Sequence, residues 1–279
     1  MADSFKDLII AAGKLVPSGL RKRITGDGYA PTWLATAIHS ALNRLPGDKY
    51  PVISCGGPLT GYRMKVEWDR YRCFAYGNWE PEIRELVIKN IQPGSVAVDV
   101  GAHIGYYSLL FSRLVGPAGK VYSFEPMPSN FSFLSENLRM NKCANVEAVN
   151  RAVLDAQRQI RIDAPKDDPL PIGVSFANPA NEGTIVVDTV SLDEYLLPRT
   201  ARVDFLKVDA ESAEEMVLAG ARALIQRDHP RILIEVHHFD GDRTISPVPR
   251  QIGEIGYTVT KVAESPVVSH YWAEWPNTR

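Results

Sequence analysis

Between residues 96 and 236, short apolar runs alternate with helical stripes, and that rhythm leaves few folds open. Val96-Ala97-Val98-Asp99-Val100 is a continuous apolar strand interrupted by one acid. Tyr106, Leu109, Leu110 and Leu114 then recur at helical spacing, and Gly116-Pro117 closes that helix. Lys120–Phe124 reads as a second strand, and Phe131, Leu134 and Leu138 stripe the next helix. Residues 146–150, 203–208 and 231–236 supply three more strands. Between the last two, Val217, Leu218, Ala221, Leu224 and Ile225 give one helical face. Strands and helices alternating at this spacing predict βαβ units and a mostly parallel, doubly wound sheet. In such sheets a ligand sits beyond the carboxyl ends of the strands.

The flanks are less regular. Phe5, Leu8, Ile9, Ala12 and Leu15 predict an N-terminal helix, stopped by Pro17-Ser18-Gly19 and followed by Arg21-Lys22-Arg23. A short basic cluster reads first as the solvated end of a packed helix; the alternative is peripheral contact with a membrane surface or an acidic partner. Residues 62–68 alternate partially and predict a strand, and 82–90 a helix. Residues 155–195 hold no clear helix; Ile160-Arg161-Ile162 and Ile185-Val186-Val187 predict an inserted hairpin. Residues 257–262 and 267–272 predict a final antiparallel hairpin at the sheet edge. The expected organisation is a helical and strand extension over 1–80, then a domain over 81–279 with the insertion at about 155–190.

Composition narrows the function classes. The 279 residues are 45 % apolar and 23 % charged, as in an ordinary globular protein. A formal net charge of −2 gives no global basic field, so no nucleic-acid partner is expected. No apolar run approaches the ~20 residues of a membrane span. Leu8-Ile9-Ile10-Ala11-Ala12 is too short for a signal peptide's core, so a cytoplasmic protein is expected. Cys55, Cys73 and Cys143 show no CxxC spacing, which suggests neither a zinc site nor a redox pair.

The turn Asp99-Val-Gly-Ala-His-Ile-Gly105 carries the chemistry. Gly101 and Gly105 let the backbone approach a ligand. Their spacing is G-x-x-x-G, and His103 stands where a dinucleotide fingerprint needs its second glycine. That argues against a nicotinamide-dependent oxidoreductase and suits a nucleoside ligand without phosphate. Glu125 ends the second strand about 20 residues later, where an acid accepts hydrogen bonds from ribose hydroxyls. S-adenosylmethionine carries a sulfonium and an ammonium, and Asp99, Glu125, Asp209 and Glu211 are carboxylates at the strand ends. Asp209 and Glu211 also suit a following helix N-terminus, and Ser212-Ala-Glu-Glu215 has a capping-box pattern.

Together these stretches resemble the FkbM-type class I methyltransferases. The resemblance rests on Val98-Asp-Val-Gly-Ala-His-Ile-Gly-Tyr-Tyr107, Phe124-Glu-Pro126 with Asn130, Asp204-Phe-Leu-Lys-Val-Asp-Ala-Glu211 and Ile234-Glu-Val-His237, with Gly77-Asn-Trp-Glu-Pro81 upstream. It implies a Rossmann-like α/β fold with a mostly parallel seven-stranded sheet, helices on both faces, and S-adenosyl-L-methionine as cofactor. It implies O-methylation of a small-molecule or sugar hydroxyl. Gly101, Ala102 and Gly105 would border the methionine moiety, with His103 between them. Glu125 would hold the ribose, Pro126 and Met127 would border the adenine, Asp209 would lie near the transferred methyl, and Glu80 would help close the pocket. His103 stands where Asn is usual, and Ser212 where Gly is usual.

A hydroxyl acceptor is a weak nucleophile at neutral pH, so a general base is expected. His237 aligns with the family's recurring histidine, with Asp209 and Lys207 as alternatives. Glu235, an acid inside a buried strand, would pair with Lys207. Asp209, Glu211, Glu235 and His237 would make an oxygen-rich metal site if they converged, but no metal motif is present and none is expected. Residues 62–80, 155–190 and the stretch after His238 would bind the acceptor; Tyr76 and Trp79 either stack on it or belong to the core. A non-catalytic binding protein on this fold is the remaining alternative.

Overall fold

The computed structural model describes residues 48–163, 168, 170–171, 175–176, 184–238 and 246–276. The expected N-terminal helix and basic cluster lie outside the described residues. The chain divides into two units: residues up to Glu85 with Arg139–Lys142, and Leu86–Leu138 with Cys143 onward.

In the first unit, β1 (Val52–Ser54) pairs antiparallel with β2 (Arg63–Lys65). The expected strand over 62–68 is thus three residues long, because Trp68 already begins helix α1 (Trp68–Tyr71). Helix α2 (Cys73–Tyr76) follows and ends at Gly77, whose φ of 65° carries the chain back against Gly57. A Cβ on Gly77 would overlap the Gly57 backbone, which fixes glycine there. Trp79 packs edge-on against Phe74 (5.3 Å) and lies 6.2 Å from Tyr71, as part of an aromatic cluster. Helix α3 (Pro81–Asn90) carries the division between the units.

The second unit is a seven-stranded sheet. In chain order come β3 (Val96–Val100), α4 (Tyr106–Val115), β4 (Lys120–Phe124), α5 (Pro128–Met140) and β5 (Val146–Val149). A smaller four-stranded sheet is inserted next: β6 (Ala152–Val153), β7 (Gln159–Asp163), β8 (Ser175–Phe176) and β9 (Thr184–Val190). Then follow α6 (Leu192–Leu196), β10 (Phe205–Asp209), α7 (Glu214–Ala219), α8 (Arg222–Asp228), β11 (Arg231–His237), α9 (Val248–Glu254), β12 (Thr258–Glu264) and β13 (Val268–Glu274). The large sheet runs β12-β13-β11-β10-β3-β4-β5. Every pairing is parallel except those of β13, which is antiparallel to β11 and β12. This is the Rossmann-like class I methyltransferase order. Strand order reverses between β3 and β10, and that is where such sheets open a crevice.

The strands read correctly because they are buried on both faces and so appear as unbroken apolar runs. Val98, Val100, Leu206, Val208, Ile232 and Ile234 are all buried in one core. Phe205, also buried, packs against Phe111 at 5.3 Å and Trp272 at 6.0 Å. The inserted strands pair in the expected sense, Ile160 opposite Val187 and Ile162 opposite Ile185. Their inner face packs as a separate small cluster of Met127, Ile162 and Val187.

Two local expectations are corrected. The helical face from Val217 to Ile225 is two helices, split at Gly220. A Cβ on Gly220 would overlap the Leu154 carbonyl, so the chain bends there around a distant loop. Ser212 forms no capping box: Ala213 is the N-cap of α7, without a side-chain bond, and Ser212 sits at φ 81°. The capping box lies at α6, where Ser191 and Glu194 bond reciprocally.

Candidate functional site

The first turn after β3 is built by hydrogen bonds to the neighbouring strand end. Gly101 and Ala102 both donate their N–H to the Phe124 carbonyl, at 3.0 and 2.9 Å. Gly101 has φ 77°, and a Cβ there would overlap the Asp209 carbonyl. Its glycine is therefore demanded by the close approach of β10. Gly105 (φ 96°) is the N-cap of α4, and a Cβ there would press on Leu134 at 2.7 Å. His103 has φ 50° between them. The left-handed region tolerates Asn best among side chains, which accounts for Asn being usual there. Ser212 at φ 81° accounts in the same way for the usual glycine.

Glu125 ends β4 fully enclosed. Its Oε2 accepts the His103 N–H at 2.8 Å, and its Oε1 accepts the Met127 N–H at 2.9 Å and the Asn130 amide at 3.3 Å. Burial pushes its carboxyl up to about 7, against the opposing pull of those donors. The backbone N–H of His103, at the centre of the loop, thus helps to hold Glu125. Asn130 also donates to the Pro171 carbonyl at 3.0 Å, and its buried Oδ1 has no partner among the described residues. Pro126 accepts from Asn150 at 3.0 Å, and Met127 is buried against the inserted sheet.

A second cluster lies at the ends of β10 and β11. Cross-strand register sets Lys207 beside Asp99 and Asp209 beside Glu235. Lys207 Nζ is 3.0 Å from Asp209 Oδ2 and 3.8 Å from Asp99 Oδ1. Burial alone would lower the Lys207 pKa, but Asp209, Asp99 and Glu235 outweigh it and hold the ammonium well above its usual range. Asp99 is wholly buried and accepts from Ser108 Oγ at 2.6 Å; burial raises its pKa against the pull of Lys207. For Asp209 burial also favours the proton, but Lys207 and His237 prevail and keep it ionised below its usual value.

His237 is ringed by carboxylates. Its Nδ1 lies 3.2 Å from Glu214 Oε1, and its Nε2 lies 3.1 Å from Glu211 Oε2 and 3.7 Å from Glu235 Oε1. Burial would lower its pKa, but Glu214, Asp209, Glu211 and Glu235 together raise it to about 9. The ring is therefore an imidazolium at neutral pH, and Lys207 an ammonium. The expected Glu235–Lys207 pair is replaced by Glu235–His270, at 3.1 Å across β11 and β13. His238 instead meets Ser269 Oγ at 2.8 Å. Asp209, Glu211 and His237 offer ligand atoms that all lie within 4.8 Å of one another.

Glu80 belongs to the first unit, where it sits at φ 38° and accepts the Arg84 N–H at 2.8 Å. Glu214 and His270 are the contributors that sequence reasoning missed. Glu214 stands in the acidic run 211–215, but only the turn at Ala213 aims it at His237. His270 lies in the expected edge strand, yet its partner is set by a register no local pattern encodes.

Known proteins are similar to this chain. The model of the Methyltransferase FkbM domain matches residues 99–258. The 31-O-demethyl-FK506 methyltransferase FkbM of Streptomyces tacrolimicus is 31 % identical over 182 residues, 54 % of this chain and 68 % of that protein. Methyltransferase 1 of Beauveria bassiana is 28 % identical over 148 residues, 45 % of this chain and 58 % of that protein. The crystal structure of Methyltransferase FkbM from Methylobacillus flagellatus KT superposes with a TM-score of 0.47 at 18 % identity, covering 65 % of this chain and 43 % of that one. The match over residues 99–258 runs from the end of β3 to the start of β12 and includes Glu125, Lys207, Asp209 and His237, and by it this chain belongs to the FkbM family of methyltransferases.

Proposed function

We propose that this chain is an S-adenosylmethionine-dependent O-methyltransferase acting on a hydroxyl of a small molecule or sugar. The observation that carries the reading is Glu125, a buried carboxylate held by three donors at the carboxyl end of β4, next to β3. A buried acid so constrained is tuned to receive donors from a ligand. Its two oxygens retain acceptor capacity for a ribose diol. Asn130 Oδ1, without a partner among the described residues, is a buried acceptor suited to an adenine amine. Pro126 and Met127 would border the base, and Gly101, Ala102 and Gly105 the methionine end.

When bound, the cofactor supplies an electrophilic methyl: the acceptor oxygen's lone pair forms the new C–O bond, the C–S pair stays on sulfur, and the hydroxyl proton is released. The chain's part is alignment and charge. Asp209, kept ionised by Lys207, adds negative potential at the strand end where a sulfonium would sit. The acceptor hydroxyl belongs at the Asp209–His237 edge, and the neutral ring of His237, which forms as pH rises towards about 9, takes its proton. The Streptomyces tacrolimicus relative is named for methylating an oxygen position of FK506, which supports an oxygen acceptor here. Incubation with ¹³C-methyl cofactor and a panel of sugars and polyhydroxylated macrocycles tests this by NMR. The expected product signal is an O-methyl ether; methyl arriving only at nitrogen or carbon would refute the reading.

A further inference from the structure

The two oxygens of Glu125 are held by different parts of the chain. Oε2 accepts the His103 N–H at 2.8 Å, from the turn after β3. Oε1 accepts the Met127 N–H at 2.9 Å and the Asn130 amide at 3.3 Å, both from the entry into α5. Those last two residues are also the ones that the inserted sheet touches. Met127 packs with Ile162 of β7 and Val187 of β9. Asn130 Nδ2 donates to the Pro171 carbonyl at 3.0 Å, and Leu170 beside that proline is fully buried. One oxygen is thus set by the glycine turn, and the other by residues seated on the insertion.

The Asn130 side chain is a defined strut between the two. It is buried, and both partners of Nδ2 are acceptors, a carboxylate and a carbonyl. The amide nitrogen must therefore face them, which fixes the orientation of the group. A donor at a carboxylate favours the ionised acid. Asn130, Met127 and His103 all act in that sense on Glu125, against burial. Asp209, at the end of β10, is the charged group that acts on Glu125, and it opposes ionisation. Asn130 is the one side chain among the three donors, so it is the one that substitution can remove.

We infer that Asn130 is a positioning residue for Glu125, and that through its bond to Pro171 the inserted sheet forms part of the cofactor's ribose site. The insertion then serves the nucleoside side of the cleft in addition to the acceptor role expected from sequence. Seating of the insertion and filling of the ribose site favour each other, because one amide is shared by both. The inference rests on the cofactor reading of Glu125.

The test is calorimetric titration of the full chain with S-adenosylhomocysteine between pH 6 and 9, for the wild type and Asn130→Ala. Circular dichroism melting establishes that the variant is folded. Asn130→Ala should bind ~10-fold more weakly at pH 7, the lower end of what a hydrogen bond to a charged group is worth. Without that donor the Glu125 carboxyl titrates at higher pH, so the difference should close to under ~3-fold at pH 9. The ratio of the two proteins is read, in which the ligand's own titration cancels. A loss equal at every pH would mark a merely structural residue and overturn the inference, as would an unchanged affinity. Hydrogen exchange of the wild type gives a second measurement that needs no variant. Saturation with S-adenosylhomocysteine should slow amide exchange in β7 and β9 more than in β12, at the far edge of the large sheet. Equal slowing in all three would overturn the part given to the insertion. Failure of the wild type to bind at any pH would instead refute the cofactor reading, so the two fail separately.

Discussion

Glu125 binds a proton more tightly in the fold than in an unfolded chain, because burial lifts its carboxyl to about 7. The sign follows from linkage: this group favours the folded state below its ordinary pKa of 4.5, and that contribution is lost as pH rises through about 7. A ribose diol donating to Glu125 favours the ionised form, so ligand binding should expel the proton. Affinity for S-adenosylhomocysteine is therefore expected to fall as pH drops from 8 to 6. Calorimetry in buffers of different ionisation enthalpy should show proton release near pH 7 that Glu125→Gln abolishes. Gly101 gives a different result at the same scale. Gly101→Ala places a Cβ on the Asp209 carbonyl at φ 77°, and should cost ~2–5 kcal/mol in thermal or urea unfolding. Loss of ligand binding on changing Gly101 thus reports folding. Ser212→Gly should leave stability unchanged or raise it by ~1 kcal/mol, since it relieves a left-handed side chain. It also removes a hydroxyl that lacks a partner among the described residues. A fall in melting temperature would contradict that account.

At the scale of elements, legibility followed burial. The strands β3, β4, β10 and β11 are buried on both faces and mostly apolar, and such runs announce themselves without any knowledge of their neighbours. The ends of elements depend on partners far along the chain, and these the sequence hid. Gly220 divides α7 from α8 because of the Leu154 carbonyl, 66 positions earlier (220 − 154). Ser212 has a capping residue's chemistry but a left-handed backbone, so its pattern with Glu215 misleads. Ser191, whose φ of −88° and ψ of 151° are those of a true cap, makes the bonds instead. Ser191→Ala is expected to lower stability by ~1 kcal/mol, read from the urea midpoint at unchanged slope. The site divides the same way: Glu125, Asp209 and His237 were legible at strand ends. Glu214 and His270 reach the cluster only through a turn and an antiparallel register.

For the whole molecule, strand order does the positioning. Reversal between β3 and β10 leaves the carboxyl ends of β3, β4, β10 and β11 facing one crevice, so residues more than a hundred positions apart gather there. One side of that gathering is a buried carboxylate waiting for donors, and the other is a charged cluster around Asp209 and His237. No helix among the described residues is long and apolar enough to cross a membrane. The central claim is that the Glu125 side holds S-adenosylmethionine. Calorimetric titration of the full chain with S-adenosylhomocysteine at pH 8 tests it most directly. The account predicts saturable one-to-one binding in the micromolar range, lost in Glu125→Ala; absence of binding heat together with no ligand-induced rise in melting temperature would contradict it.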